Sequence, residues 1–202
     1  MQQADKFKKL LPMTKVFISS TSKDLDVYRQ AAYEAVQKLD GYHGIIMENF
    51  GARDNPPEVF CPDKVKECDL FILLLGLTYG SCPPDSDKSY TELEYEAAIK
   101  NNKPCLVFIT SENFNVSQKL VSSFDPAELA EQVEKARKFR EGIKRVWGKF
   151  STEEELAKEV AIAIHNWERE KAKEKRPFSL TISILEKARI TFEVKKEEQK
   201  NG

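Results

Sequence analysis

The sequence predicts an α/β domain: a parallel sheet of four or five strands between two layers of helices, followed by a short β-hairpin-like extension. Three observations carry this. Segments with strand character and segments with helix periodicity alternate through residue 167. The run from Leu70 to Leu75 is apolar without alternation, which belongs to a strand covered on both faces, at the centre of a parallel sheet. Phe178, Leu180, Ile182 and Ile184, then Ile190, Phe192 and Val194, alternate with period two, the signature of paired strands.

Lys15-Val16-Phe17-Ile18-Ser19 is a short β-branched and aromatic run, and Ser20-Thr21-Ser22 after it is a hydroxyl cluster suited to a helix start. Leu25, Tyr28, Ala32, Ala35 and Leu39 recur at steps of three and four, giving a helix that ends at Gly41. Gly44 to Met47 reads as a second strand and Asn49 to Pro57 as loop. A brief helix is expected over Glu58–Cys68, with Pro62 limiting its start. After the central strand, Tyr79 to Asp87 is loop, Thr91–Lys100 is helix, and Asn101-Asn102 ends it. Leu106 to Ile109 is another buried strand. Asp125-Pro126-Ala127-Glu128 then combines an N-cap Asp, a Pro at the first helical position and a Glu at the third. That helix is expected to run to about Trp147, with a short fifth strand near Arg145–Phe150. Ser151-Thr152-Glu153 caps a last helix through Trp167. Right-handed crossovers leave few topologies, and the strand order 2-1-3-4(-5) makes the domain flavodoxin-like, a three-layer sandwich.

The 202 residues suit one domain with appendages, since domains run about 100–200 residues. The expected boundaries are an N-terminal extension over 1–12, the α/β domain over 13–172, and a charged linker with the hairpin-like tail over 173–202. The tail must lie on the domain or on another chain, because a lone hairpin is marginal in water. The 32 basic and 33 acidic residues leave a formal charge of −1, which argues against nucleic-acid binding. Leu70 to Leu77 falls far short of the ~20 apolar residues a membrane span needs, and Met1 to Met13 lacks a signal-peptide core. A soluble, cytoplasmic protein is expected. Cys61, Cys68, Cys82 and Cys105 are separated by six, thirteen and twenty-two intervening residues with no CxxC pair, so reduced thiols are expected and no metal site. Arg29 is read as a surface ion-pair partner, and the basic stretch from Lys135 to Arg145, interleaved with glutamates, as a solvated face.

In an open parallel sheet, ligands bind beyond the carboxyl ends of the strands, where the strand order reverses. Here that crevice falls between the first and third strands. It is bordered by Ser19, Ser20 and Thr21 on one side and by Tyr79, Gly80 and Ser81 on the other. Hydroxyls leading into a helix N-terminus suit a phosphate; the plainer reading is that Ser20 or Thr21 only caps the helix. No GxGxxG or GxxxxGK[ST] is present, which excludes the usual dinucleotide and P-loop sites. The other notable stretch is Ser89-Tyr90-Thr91-Glu92-Leu93-Glu94-Tyr95-Glu96. On spacing alone, Thr91 and Glu94 match a capping box, in which Glu94 reaches back to the N-cap amide.

Three motifs, Val16-Phe17-Ile18-Ser19-Ser20-Thr21 followed by Asp24-Leu25, Asp69 to Gly76 followed by Tyr79-Gly80, and Ser89 to Tyr95, resemble a family of TIR-like domains. That family is catalogued as a domain of unknown function, found alone or at the N-terminus of NTPase-linked, NLR-like proteins. Its wider superfamily includes TIR domains and nucleoside 2-deoxyribosyltransferases, which place a glutamate on the helix after the third strand and cut or exchange an N-glycosidic bond. The TIR spacing of an aromatic residue, a Glu four on and an Ala four further fits Tyr90, Glu94 and Ala98, with Tyr in place of Trp. The deoxyribosyltransferase spacing selects Glu92. The resemblance therefore implies Glu94 as the catalytic residue, with Glu92 second. It also implies substrate contacts from Ser19, Ser20, Thr21, Tyr79, Gly80, Ser81 and Tyr90. NAD or a related nucleotide enters as substrate, in defence or immune-like signalling, with no cofactor. Self-association or an NTPase/NLR-like partner is implied as well. A non-catalytic interaction and self-assembly module is the competing reading, and a nucleotide sensor a third. The direction of Glu94 separates them: an enzyme needs it over the Ser19–Thr21 crevice, and the capping box turns it outward.

Overall fold

The structure, a computed structural model, describes residues 13–21, 24–46, 57–116 and 118–173, with backbone alone at 57–61, 118 and 119. The expected N-terminal extension, most of the loop before Pro57 and the hairpin-like tail lie outside the described residues. The chain divides into two compact units, Met1–Ala163 and Ile164–Gly202. Of the second, residues 164–173 are described and helical.

Five strands form the sheet: β1 (Thr14–Ser20), β2 (Tyr42–Ile45), β3 (Leu70–Leu75), β4 (Cys105–Thr110) and β5 (Gly148–Phe150). All neighbours pair in parallel, in the order β2-β1-β3-β4-β5, as the sequence predicts. Every residue of β3 is buried, because helices cover both its faces. The helices are α1 (Asp26–Gln37), α2 (Pro57–Glu67), α3 (Tyr90–Lys100), α4 (Gln118–Ser122), α5 (Pro126–Glu141) and α6 over 153–173. One face of the sheet packs Phe17, Phe71, Leu73, Leu75 and Val107 against Val65 of α2 and Ala98 of α3. The Phe17 and Phe71 rings stack there with centroids 5.8 Å apart. Among the described residues no helix is long and apolar enough to cross a membrane.

Several boundaries differ from expectation, each for a local reason. Ser20 and Thr21 do not cap α1: Leu25 holds the N-cap position and makes no side-chain cap bond. Pro62 lies inside α2 instead of limiting its start, so one intrahelical donor is missing there. α4 is a five-residue helix, too short to show a periodicity. α5 stops at Glu141 and does not reach Trp147, because the chain turns to pair with β4. The Trp147 amide donates to the Val107 carbonyl at 2.7 Å, and Phe108 then pairs with Gly148. At α3 the capping box is not formed. Ser89 is the N-cap, and its hydroxyl accepts from the Glu92 amide at 3.2 Å.

Candidate active site

Successive residues of a strand point to opposite faces, and the tip of β1 uses this to serve two helices. Ser19 lies on the face of Phe17, beneath α3. Ser20 lies on the opposite face, beneath α1. On α3 the buried positions are Thr91, Glu94 and Ala98, one helical stripe laid along that face of the sheet. Ala98 packs in the core, and Glu94, one turn nearer the helix start, reaches the end of the strand. There the Ser19 hydroxyl donates to the Glu94 carboxylate at 2.5 Å, with Ser19 and Glu94 only 2% and 4% exposed. Glu94 therefore points inward, to the tip of β1, and not back to the amide of its own helix.

Glu92 leaves the stripe and does something else. Its carboxylate accepts a short hydrogen bond from the Tyr79 hydroxyl, whose oxygen also accepts from the Ser89 amide at 3.1 Å. Burial, followed by the bond to Glu92, pushes the Tyr79 phenol up to about 12. The Tyr79 ring packs edge-on against Phe139, with centroids 6.3 Å apart. A cavity of about 240 Å³ opens beside this pair, lined by Tyr79, Asp87, Glu92, Lys135, Lys138 and Phe139. Tyr90, the first residue of α3, is half-buried, and its amide donates to the carbonyl of exposed Ser81 at 3.1 Å.

The hydroxyls of Ser20, the last residue of β1, and of Thr21 after it are engaged within the protein. Arg29, expected at the surface, is buried at 5% exposure; its guanidinium donates to Ser20 Oγ at 2.6 Å and to the Thr21 carbonyl at 3.1 Å. The Thr21 hydroxyl donates to Asp24, and the same carboxylate accepts from the Thr78 amide at 2.9 Å. Asp24 thus ties the tip of β1 to the tip of β3. Gly76 makes this approach possible, since a Cβ there would stand 2.3 Å from Asp24 Oδ2. On the far side of β3, Arg140 donates to the Gly76 carbonyl and to Thr110 Oγ1, the latter at 3.0 Å. Burial lowers the Arg140 guanidinium from its usual range, and the nearby Asp24 charge opposes that.

The structure thus brings Ser19, Ser20, Thr21, Tyr79, Gly80, Glu92 and Glu94 to one end of the sheet, joined by Asp24 of the first motif, by Arg29, and by Gln132, which no motif contains. The signal for Arg29 is its place four after Leu25 and three before Ala32 on the apolar stripe of α1. Gln132 leaves no such pattern. Cys68, Cys82 and Cys105 are free thiols; burial pushes Cys68 up to about 11 and Cys105 up to about 12. Among the described residues no group of three or more His, Cys, Asp and Glu side chains is placed to hold a metal ion.

Among solved structures, the chain is similar to a CMP N-glycosidase of Clostridium botulinum, with 18% identity, a TM-score of 0.41, and 73% of this chain and 98% of that chain covered. It is also similar to the Flv1 flavodiiron core of Synechocystis, with 17% identity, a TM-score of 0.40, and 82% and 39% covered. No curated protein matches the chain. Residues 15–165 match the family described as Domain of unknown function (DUF4062). That span holds β1 from its second residue, the other four strands and every residue gathered at their tips, and the chain belongs to the DUF4062 family.

Proposed function

We propose that the protein is a nucleotide N-glycosidase, acting on NAD or a related nucleotide, with Glu94 as its catalytic carboxylate and Glu92 as the second candidate. One observation carries this reading: Glu94 is buried and held by Ser19 at the strand tips, where an open parallel sheet takes its ligands. In the reaction the bond between the ribose C1′ and the nicotinamide nitrogen breaks, and its electron pair leaves with the ring. The sugar becomes oxocarbenium-like, positive at C1′ and the ring oxygen. A carboxylate beside it stabilises that charge, more strongly where water is excluded. Water then adds to C1′ and releases a proton, giving ADP-ribose. In this reading Ser19 orients the carboxylate, and Tyr90 is the aromatic residue that stacks on a base. A cytoplasmic role in immune-like signalling, with self-association completing the site, belongs to the same proposal.

Incubation of concentrated protein with NAD tests it, with nicotinamide release as the readout. Release that falls at least 100-fold in Glu94→Gln is the expected result. Equal release from wild type and Glu94→Gln refutes the residue assignment, and loss in Glu92→Gln alone moves the role to Glu92. No release from any of them favours a non-catalytic self-assembly module. One feature speaks for that second reading: a groove of about 470 Å³ is lined by Tyr95, Glu96, Ile99, Lys100, Gly142 and Lys144, and Ile99 is 52% exposed.

A further inference from the structure

A nucleotide brings phosphate as well as sugar, and the hydroxyls of Ser19, Ser20 and Thr21 are already bonded to Glu94, Arg29 and Asp24. The start of α1 is served too: Asp26 lies in its first turn and accepts from the Val27 amide at 2.7 Å. Among the described residues, the loop after β3 offers an anion another place. The amides of Tyr79 and Gly80 converge on a single oxygen, the side-chain Oε1 of Gln132 in α5, at 3.1 and 3.0 Å. Successive amides turn toward one acceptor only where the backbone curls, and Gly80 supplies the curl with φ +92°. Such a concavity of N–H groups is an anion nest. The residue before it, Thr78, is 3% exposed and carries a buried hydroxyl with no hydrogen-bond partner among the described residues. The nest also adjoins the tip of β1, since a Cβ on Gly80 would stand 3.0 Å from Thr21 Cγ2. Lys135 and Lys138, on the helix that carries Gln132, line the cavity that reaches Tyr79; Asp87 and Glu92 line it too, Glu92 with its carboxylate held by the Tyr79 hydroxyl.

Resting on the glycosidase reading for the identity of its ligand, we propose that the Tyr79 and Gly80 amides form the subsite for a nucleotide phosphate, and that Gln132 is the occupant the phosphate displaces. An amide oxygen is neutral and a phosphate oxygen is charged, and charge-assisted hydrogen bonds are about twice as strong. Gln132 thus holds the loop in its binding shape and yields to the stronger acceptor.

The experiment is a titration of the ¹⁵N-labelled full chain with AMP, inorganic phosphate and adenosine, following the Tyr79 and Gly80 amide resonances. In Gln132→Ala, AMP is expected to move both resonances and to bind about tenfold tighter than in wild type, since a competing hydrogen-bonded acceptor is gone. Adenosine is expected to leave them in place. Amides that do not move at saturating AMP overturn the subsite, and AMP binding no tighter than inorganic phosphate overturns the nucleotide assignment. Gln132→Glu, nearly the same size, covers the case in which the alanine variant fails to fold. Its tethered carboxylate is expected to fill the nest and weaken AMP binding at least tenfold, and undiminished binding overturns the proposal. The outcome is separate from turnover. A protein that cleaves NAD while these amides ignore AMP refutes the subsite alone. One that binds AMP there and never releases nicotinamide refutes the glycosidase reading alone.

Discussion

Removing the Ser19 hydroxyl tests the contact that holds Glu94 at the strand tips. Ser19 donates at 2.5 Å to a carboxylate that is only 4% exposed, so water is poorly placed to replace the lost partner. A hydrogen bond to a charged group contributes about 1.5–3 kcal/mol. Ser19→Ala changes little volume, so this loss dominates, and stability is expected to fall by about 2–3 kcal/mol. For a domain of this size that lowers Tm by roughly 5–10 °C. Glu94→Gln keeps the shape and one acceptor but removes the charge. Urea unfolding of wild type, both single variants and the double variant then gives the coupling between the two residues, expected at about 1–2 kcal/mol. Independent sites add to within roughly 0.5 kcal/mol. A coupling below that limit means Ser19 does not hold Glu94, and the geometric case for the site fails with it.

Gly76→Ala places a Cβ 2.3 Å from Asp24 Oδ2 and 2.9 Å from Leu25 Cγ, and is expected to cost about 1–3 kcal/mol in a thermal melt. A variant as stable as wild type shows that the two strand tips are not in close contact. Ser89→Ala removes the N-cap of α3 and is expected to cost about 1 kcal/mol, where an unchanged melting curve returns the cap to Thr91. Tyr79, at about 12, stands above the ordinary tyrosine value of 10.0, so the folded state keeps its proton longer than the unfolded chain. The resulting stability is present below pH 10 and is lost as pH rises from about 10 to 12. The stability difference between wild type and Tyr79→Phe is expected to change across that window, and a flat difference contradicts the assignment.

The sheet was legible because hydrophobic patterning is a local record of burial. The unbroken apolar run of β3, with Lys15–Ser19 before it and Leu106–Ile109 after it, is enough to order the strands once handedness limits the crossovers. Local rules failed where a distant partner competed. Thr91 and Glu94 have capping-box spacing, yet Ser89 took the cap and Glu94 followed Thr91 and Ala98 inward. The periodicity of α5 continues to Val146, yet pairing of β5 with β4 ended the helix at Glu141.

By itself the sequence determined the fold class and the strand order. These follow from which stretches must leave water and which way the backbone twists. Only the tertiary structure decided which carboxylate enters the crevice, that Arg29 is buried behind Ser20, and that Gln132 closes on the amides of Tyr79 and Gly80. Those contacts join residues 9 to 75 positions apart. Each depends on where a helix settles on the sheet, and packing sets that position, not any local spacing along the chain.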